Sequence, residues 1–89
     1  MDDPDLPDPA GHAPRVVLYG RAGCHLCDQA RTMLQRMETE TGEAFTEVDI
    51  DTDDALREQY GELVPVVTVD GVQQGYWRID AGRVRAALA

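Results

Sequence analysis

Both cysteines of this chain stand in one short stretch, Cys24-His25-Leu26-Cys27. An apolar run, Val16-Val17-Leu18-Tyr19, precedes it, and a segment with helical apolar spacing follows: Leu26, Ala30, Met33, Leu34 and Met37. Strand, tight turn, Cys-x-x-Cys and helix form the context in which such a pair reads as redox-active. A cysteine at a helix N-terminus faces unpaired backbone N–H groups and the positive end of the helix dipole. Both favour the thiolate, which is the nucleophilic form. The second cysteine, three residues on, returns to the same side of the helix one turn deeper. From there it can attack a mixed disulfide formed on the first.

The rest of the chain falls into place around that stretch. Residues 1–14 hold four of the five prolines, four aspartates and almost nothing apolar. We expect them to form a disordered acidic tail, with His12 solvated in it. Residues 15–89 are then one small domain. Arg15 to Tyr19 reads as a strand buried on both faces, and Gly20-Arg21-Ala22-Gly23 as the turn before the cysteines. The first helix is expected from about Cys24 to Glu40, with Gly42 as its stop. The spacing of Met33 and Met37 is that of core residues.

Ala44 to Ile50 alternates as a second strand, with Ala44, Thr46, Val48 and Ile50 on one face and Phe45 on the other. A helix from about Asp53 to Tyr60 follows, capped by one of Asp51, Thr52 or Asp53, with Gly61 fitting the left-handed position past its end. The acids Asp49, Asp51, Asp53 and Asp54 are read as helix start and solvated loop. Val64 to Val69 is a third strand, with Pro65 near its start, where a missing N–H is tolerated. Asp70-Gly71 signals a two-residue hairpin into a fourth strand, Val72 to Trp77. Asp80 opens a last helix that buries Val84 and Leu88. The order is β-α-β-α-β-β-α, with a parallel first pair and an antiparallel hairpin.

Composition narrows the partners. Seventeen acidic side chains stand against eight basic ones, all arginine, for a formal charge of -9. That argues against nucleic acid and anionic membrane, which require a basic footprint. No apolar run of about 18 residues suits a membrane span, and the acidic N-terminus is unlike a secretory signal. A cytoplasmic location is expected, where a cysteine pair is more often catalytic or metal-binding than structural.

Taken together, Leu18 to Cys27, Val48-Asp49-Ile50-Asp51, Val64-Pro65-Val66-Val67 and Asp70-Gly71 resemble the glutaredoxin-like branch of the thioredoxin superfamily. The resemblance spans about Arg15 to Ala89. It implies a thioredoxin fold, a four-stranded mixed sheet of order 2-1-3-4 flanked by three helices. It implies a cis Val64–Pro65 bond against the cysteines, with Cys24 as nucleophile and Cys27 as resolving thiol. The backbone of Val64 would pair with an extended substrate or glutathione, and Arg21 matches a position where glutaredoxins often place a lysine near a glutathione carboxylate. His25, beside the nucleophile, would favour its thiolate when protonated. The stretch Gly75-Tyr76-Trp77-Arg78-Ile79-Asp80 departs from the pattern, because glutathione-binding glutaredoxins usually carry a Gly-Gly pair there. Trp77 is either packing at the sheet edge or a substrate contact.

The function expected is dithiol–disulfide exchange by a monomer with no cofactor and no bound metal. Its partners would be a disulfide-containing protein or a low-molecular-weight thiol, with a reductase or thiol reductant closing the cycle. Two other readings stay open from sequence: a metal or iron–sulfur cluster carrier using the cysteine pair, and a non-catalytic interaction module.

Overall fold

A computed structural model describes residues 14–89; the expected tail, His12 included, lies outside them except for Pro14. The elements are β1 (Val16–Gly20), α1 (His25–Thr41), β2 (Phe45–Asp49), a single 3-10 turn (Ile50–Thr52), α2 (Asp54–Tyr60), β3 (Val66–Val69), β4 (Val72–Tyr76) and α3 (Ala81–Leu88). The strands form one mixed sheet of order β2-β1-β3-β4. β1 and β2 are parallel, while β3 runs antiparallel to both β1 and β4. With three helices this is the thioredoxin fold, as the resemblance implied.

Alternation along β1 and β3 sends Val16, Leu18, Val67 and Val69 to one face. There they pack with Ala30, Leu34 and Met37 of α1 and with Val84 of α3. Met33, Phe45, Ile79 and Leu88 close the edges of this core. On the other face Tyr19 of β1 stacks on Tyr60 of α2, ring centroids 4.8 Å apart. β3 is buried at all four positions because it is central and covered on both sides.

Local chemistry sets most of the boundaries. Gly42 ends α1 at φ 80°, its N–H bonded to the Glu38 carbonyl at 2.8 Å. The Asp53 carboxylate caps α2 through the N–H groups of Ala55 and Leu56, and Asp80 caps α3 through those of Gly82 and Arg83. Asp70 and Gly71 take φ 53° and 83°, the pair of positive values that a two-residue primed turn requires. Arg15 ties this turn down with two bonds to the Asp70 carboxylate, at 2.9 and 2.8 Å.

Three expectations need correction. Gly61 is not left-handed: its φ is -50°, and its N–H continues the helical pattern to the Arg57 carbonyl. Glycine is needed there for space, since a Cβ would fall 2.5 Å from that carbonyl oxygen. Strand β2 ends at Asp49, where the Asp49 carboxylate accepts the Asp51 N–H and starts the 3-10 turn. Its expected inner face is also incomplete: Val48 is half-buried and Ile50 buried, but Ala44 and Thr46 are exposed, because β2 is an edge strand. Beyond these, the β3–β4 ladder pairs Val67 with Gly75 and Thr68 with Gln73, so Gln74 is an extra residue, a β-bulge. The bulge lies immediately before the stretch, Gly75 to Asp80, that departs from the glutaredoxin pattern.

Candidate functional site

The cysteines lie where β1 hands over to α1. Gly23, at φ 76°, turns the chain into the N-cap, and the N-cap residue is Cys24 itself. The Cys24 Sγ accepts the backbone N–H of Cys27 at 3.1 Å, the place a serine or aspartate oxygen takes in an ordinary cap. Cys24 and Cys27 are joined in a disulfide, with their Cα atoms 5.2 Å apart. Cys27 is fully buried, whereas Cys24 is half-buried and His25 is exposed.

A residue that sequence reasoning treated only as turn supports this arrangement. A Cβ on Gly20 would stand 3.2 Å from the Cys27 sulfur and 3.3 Å from the Cys27 Cβ. The last residue of β1 is therefore small because the buried sulfur lies against it. A glycine ending an apolar strand just before a Cys-x-x-Cys was the available signal.

The Val64–Pro65 bond is cis. Val64 and Leu26, a residue of the cysteine motif itself, line one open hollow of about 570 Å³ together with Tyr76, Trp77 and Arg78. Trp77 organises its wall. The Trp77 backbone N–H donates to the carbonyls of Leu63 and Pro65 at 3.2 and 2.9 Å, and its Nε1–H donates to the Glu62 carbonyl at 2.8 Å. The carbonyls on either side of Val64 are thus engaged, while the N–H and C=O of Val64 have no partner among the described residues. Trp77 holds φ 62°, a conformation that a bulky residue rarely adopts. The residue is 53% exposed, and its ring meets Tyr76 edge-on, centroids 5.2 Å apart. It is therefore a surface of the hollow and not sheet-edge packing alone.

Arg21 points toward α2. Its guanidinium binds the Asp51 carboxylate at 2.7 Å and the Gly61 carbonyl at 3.0 Å. That hydrogen bond and the adjacent charge hold the Asp51 carboxyl below the usual carboxylate range. Asp28 and Glu47 are likewise bound by Arg31, at 2.8 and 2.5 Å. Of the acids from the end of β2 onward, Asp49 and Asp53 serve as caps and Asp51 and Asp54 pair with arginines. Among the described residues no three or more His, Cys, Asp or Glu side chains are grouped to hold a metal ion. No helix of the described residues is long and apolar enough to cross a membrane.

Residues 15–89 match the family model described as the glutaredoxin-like domain (DUF836). An uncharacterized protein of Mycobacterium tuberculosis is 35% identical over 81 residues, which is 85% of this chain and 84% of that protein. Among solved structures, a structural-genomics target protein from X. campestris is 42% identical, with a TM-score of 0.67 over 82% of this chain and 93% of its own. Reduced Escherichia coli glutaredoxin is 25% identical, with a TM-score of 0.57 over 80% and 88% of the respective chains.

Proposed function

The chain belongs to the glutaredoxin-like domain (DUF836) family, and on that premise we propose that it is a dithiol–disulfide oxidoreductase in which Cys24 attacks and Cys27 resolves. The observation that carries this reading is the Cys24 sulfur acting as N-cap of α1 while bonded to Cys27. In the reduced protein a Cys24 thiolate at that position accepts the Cys27 N–H and meets the positive end of the helix. Both lower its pKa relative to a free thiol. His25, exposed beside it, adds a positive charge when protonated.

The cycle begins with the Cys24 thiolate attacking one sulfur of a substrate disulfide. The substrate S–S bond breaks, one substrate thiolate leaves and takes up a proton, and Cys24 is left in a mixed disulfide. The Cys27 thiol loses its proton and attacks the Cys24 sulfur. This releases the second substrate thiol and forms the Cys24–Cys27 disulfide seen here. Two electrons and two protons have passed to the substrate. A low-molecular-weight thiol or a reductase, acting by the reverse exchange, returns the pair to the dithiol, and no bound cofactor is required. The cytoplasm, whose thiol pools supply such a reductant, is the compartment this reading calls for.

Val64 and Pro65 form the substrate side. An extended chain adds to Val64 as a short strand through the unpartnered N–H and C=O. Arg21, anchored by Asp51, contributes positive charge on the side of the turn. Glutathione is a poor fit as the bound substrate, because the stretch Gly75 to Asp80 carries one glycine in place of the Gly-Gly pair and Tyr76 and Trp77 crowd it.

Catalysed reduction of insulin disulfides by dithiothreitol tests the reading. The wild type is expected to accelerate it and Cys24→Ser to abolish the acceleration. An unaccelerated reaction with the wild type would leave the fold without the activity.

A further inference from the structure

The hollow at Val64 is not isolated. A second hollow of about 280 Å³ shares Leu26, Trp77 and Arg78 with it and runs along α1 past Gln29, Ala30 and Met33 to Ile79. The two form one groove that begins at Val64, passes the cysteine motif at Leu26 and continues down the side of the first helix. The walls of the first hollow are mainly apolar, from Leu26, Val64 and the exposed Tyr76–Trp77 pair, while along α1 the apolar side chains of Ala30, Met33 and Ile79 alternate with polar surface that includes Gln29.

One charged side chain borders both hollows, Arg78, and it stands apart from the other arginines. In a chain with twice as many acids as bases, Arg15, Arg21, Arg31, Arg57 and Arg85 each hold a carboxylate. Arg78 has no carboxylate partner among the described residues. Arg36 and Arg83 also have none, but they line neither hollow. The carboxylate nearest to it in sequence, Asp80, is committed to the N–H groups of Gly82 and Arg83. The groove thus sets an apolar stretch, Leu26, Val64 and the Tyr76–Trp77 pair, beside one guanidinium that has no carboxylate partner among the described residues, on a molecule whose overall field repels anions.

We infer that this groove selects disulfide-bearing polypeptides in which the reactive cysteine is flanked by an apolar residue and an acidic one, with Arg78 as the specificity-determining residue. The inference rests on the thiol–disulfide reading and names its substrate class. An extended chain is the occupant because the groove continues beyond Val64 over the Tyr76–Trp77 pair to Met33. The apolar residue covers Leu26 and Trp77, and the acidic one meets the guanidinium, which suits a planar carboxylate. No acid of the chain's own competes for that guanidinium among the described residues.

The test uses the full-length protein, reduced beforehand, and terminally capped peptides in which a central Leu-Cys-Leu is flanked by Asp, Asn or Arg. Each peptide cysteine is activated as a 2-thiopyridyl disulfide. Cys24 attacks the peptide sulfur, neutral 2-thiopyridone leaves and is read by absorbance, and Cys27 then displaces the peptide thiol. Rates are divided by those with 2-mercaptoethanol to remove intrinsic reactivity, at about 0.15 M salt, where distant charges are largely screened.

The acidic peptide is expected to react about three- to fivefold faster than the neutral one, the size of one exposed ion pair, and the basic peptide slowest. Arg78→Gln should lose the preference and bring the acidic and neutral peptides to about equal rates, since the remaining, more distant charges are largely screened. Arg78→Lys should keep part of it. Replacing the flanking leucines by serine should slow every peptide.

The same acidic-to-neutral ratio in wild type and Arg78→Gln overturns the role of Arg78. Equal rates for leucine and serine peptides overturn the apolar groove. A glutathione 2-thiopyridyl disulfide reacting as fast as the acidic peptide shows that a small anionic thiol suffices and overturns the extended occupant. Reaction with none of them removes the thiol–disulfide reading itself.

Discussion

Replacing Gly20 with alanine probes the contact on which the cysteine site rests. The added methyl would stand 3.2 Å from the Cys27 sulfur and 3.3 Å from the Cys27 Cβ. Comfortable separations between such atoms are about 3.5–4.0 Å, so something must yield by a few tenths of an ångström. The sulfur cannot swing away, because Cys27 is fully buried and disulfide-bonded to Cys24. The first turn of α1 must shift instead. Overpacking of this kind costs about 1–3 kcal/mol. Losing a glycine from the unfolded chain returns about 0.4–1 kcal/mol. The net is a destabilisation of roughly 0.5–2 kcal/mol. With a urea slope near 1 kcal/mol/M for a chain this small, the midpoint of the oxidised protein should fall by about 0.5–2 M.

Gly23 supplies the contrast. A Cβ there meets nothing within 4 Å, but φ is 76°. Conformation decides the cost at Gly23, and asparagine, which tolerates that region, should be milder than alanine. At Gly20 size decides, and asparagine should be worse than alanine. An unchanged or raised midpoint for Gly20→Ala, or the same order of alanine and asparagine at both sites, would refute the reasoning.

Trp77→Phe removes the Nε1–H bond to the Glu62 carbonyl; equilibrium unfolding should show a loss of about 1 kcal/mol. The same variant should raise KM for a peptide disulfide more than it lowers kcat, since Trp77 holds the segment around Val64. Asp80→Ala removes the cap of α3 and should cost about 1 kcal/mol, read as a lower thermal midpoint, with Asp80→Asn recovering most of it. Arg21 and Arg15 hold the Asp51 and Asp70 carboxyls below their ordinary range. The unfolded chain therefore binds those protons first as pH falls. These pairs contribute stability above the unfolded value near 3.8 and lose it as pH drops through the lower folded values. Urea midpoints followed down to about pH 2 should fall less steeply in Asp51→Asn and Asp70→Asn than in the wild type.

What was legible in the sequence is what local chemistry decides. Gly42, Asp53, Asp80 and the Asp70-Gly71 turn act on backbone groups within a few residues of themselves, and each appears where it was expected. The apolar spacing of α1 gave the core face correctly through Ala30, Leu34 and Met37. The resemblance added the sheet order and the cis Val64–Pro65 bond, which no local rule supplies. The rest depends on neighbours distant in sequence. Gly20 looks like an ordinary turn glycine until the Cys27 sulfur lies against it. The end toward which Arg21 points is set by Asp51, thirty residues away, and by the Gly61 carbonyl. Trp77 takes a positive φ because Glu62, Leu63 and Pro65 offer it three carbonyls. The bulge at Gln74 comes from pairing with β3, and the edge position of β2, which exposes Ala44 and Thr46, comes from the order of the sheet. The core was thus easier to read than the groove, because its residues are periodic and the groove's are brought together only by the fold.

The division of labour between the two cysteines is tested most directly by intact-mass analysis after mixing each single-cysteine variant, reduced, with an excess of a peptide disulfide. Cys27→Ser should accumulate a stable mixed disulfide carrying one peptide half on Cys24, because nothing remains to resolve it. Cys24→Ser should stay unmodified over the same interval, its buried Cys27 out of reach, and the wild type should pass to the internal disulfide with no adduct retained. Adduct forming on Cys27 in Cys24→Ser as fast as on Cys24 in Cys27→Ser would contradict the account.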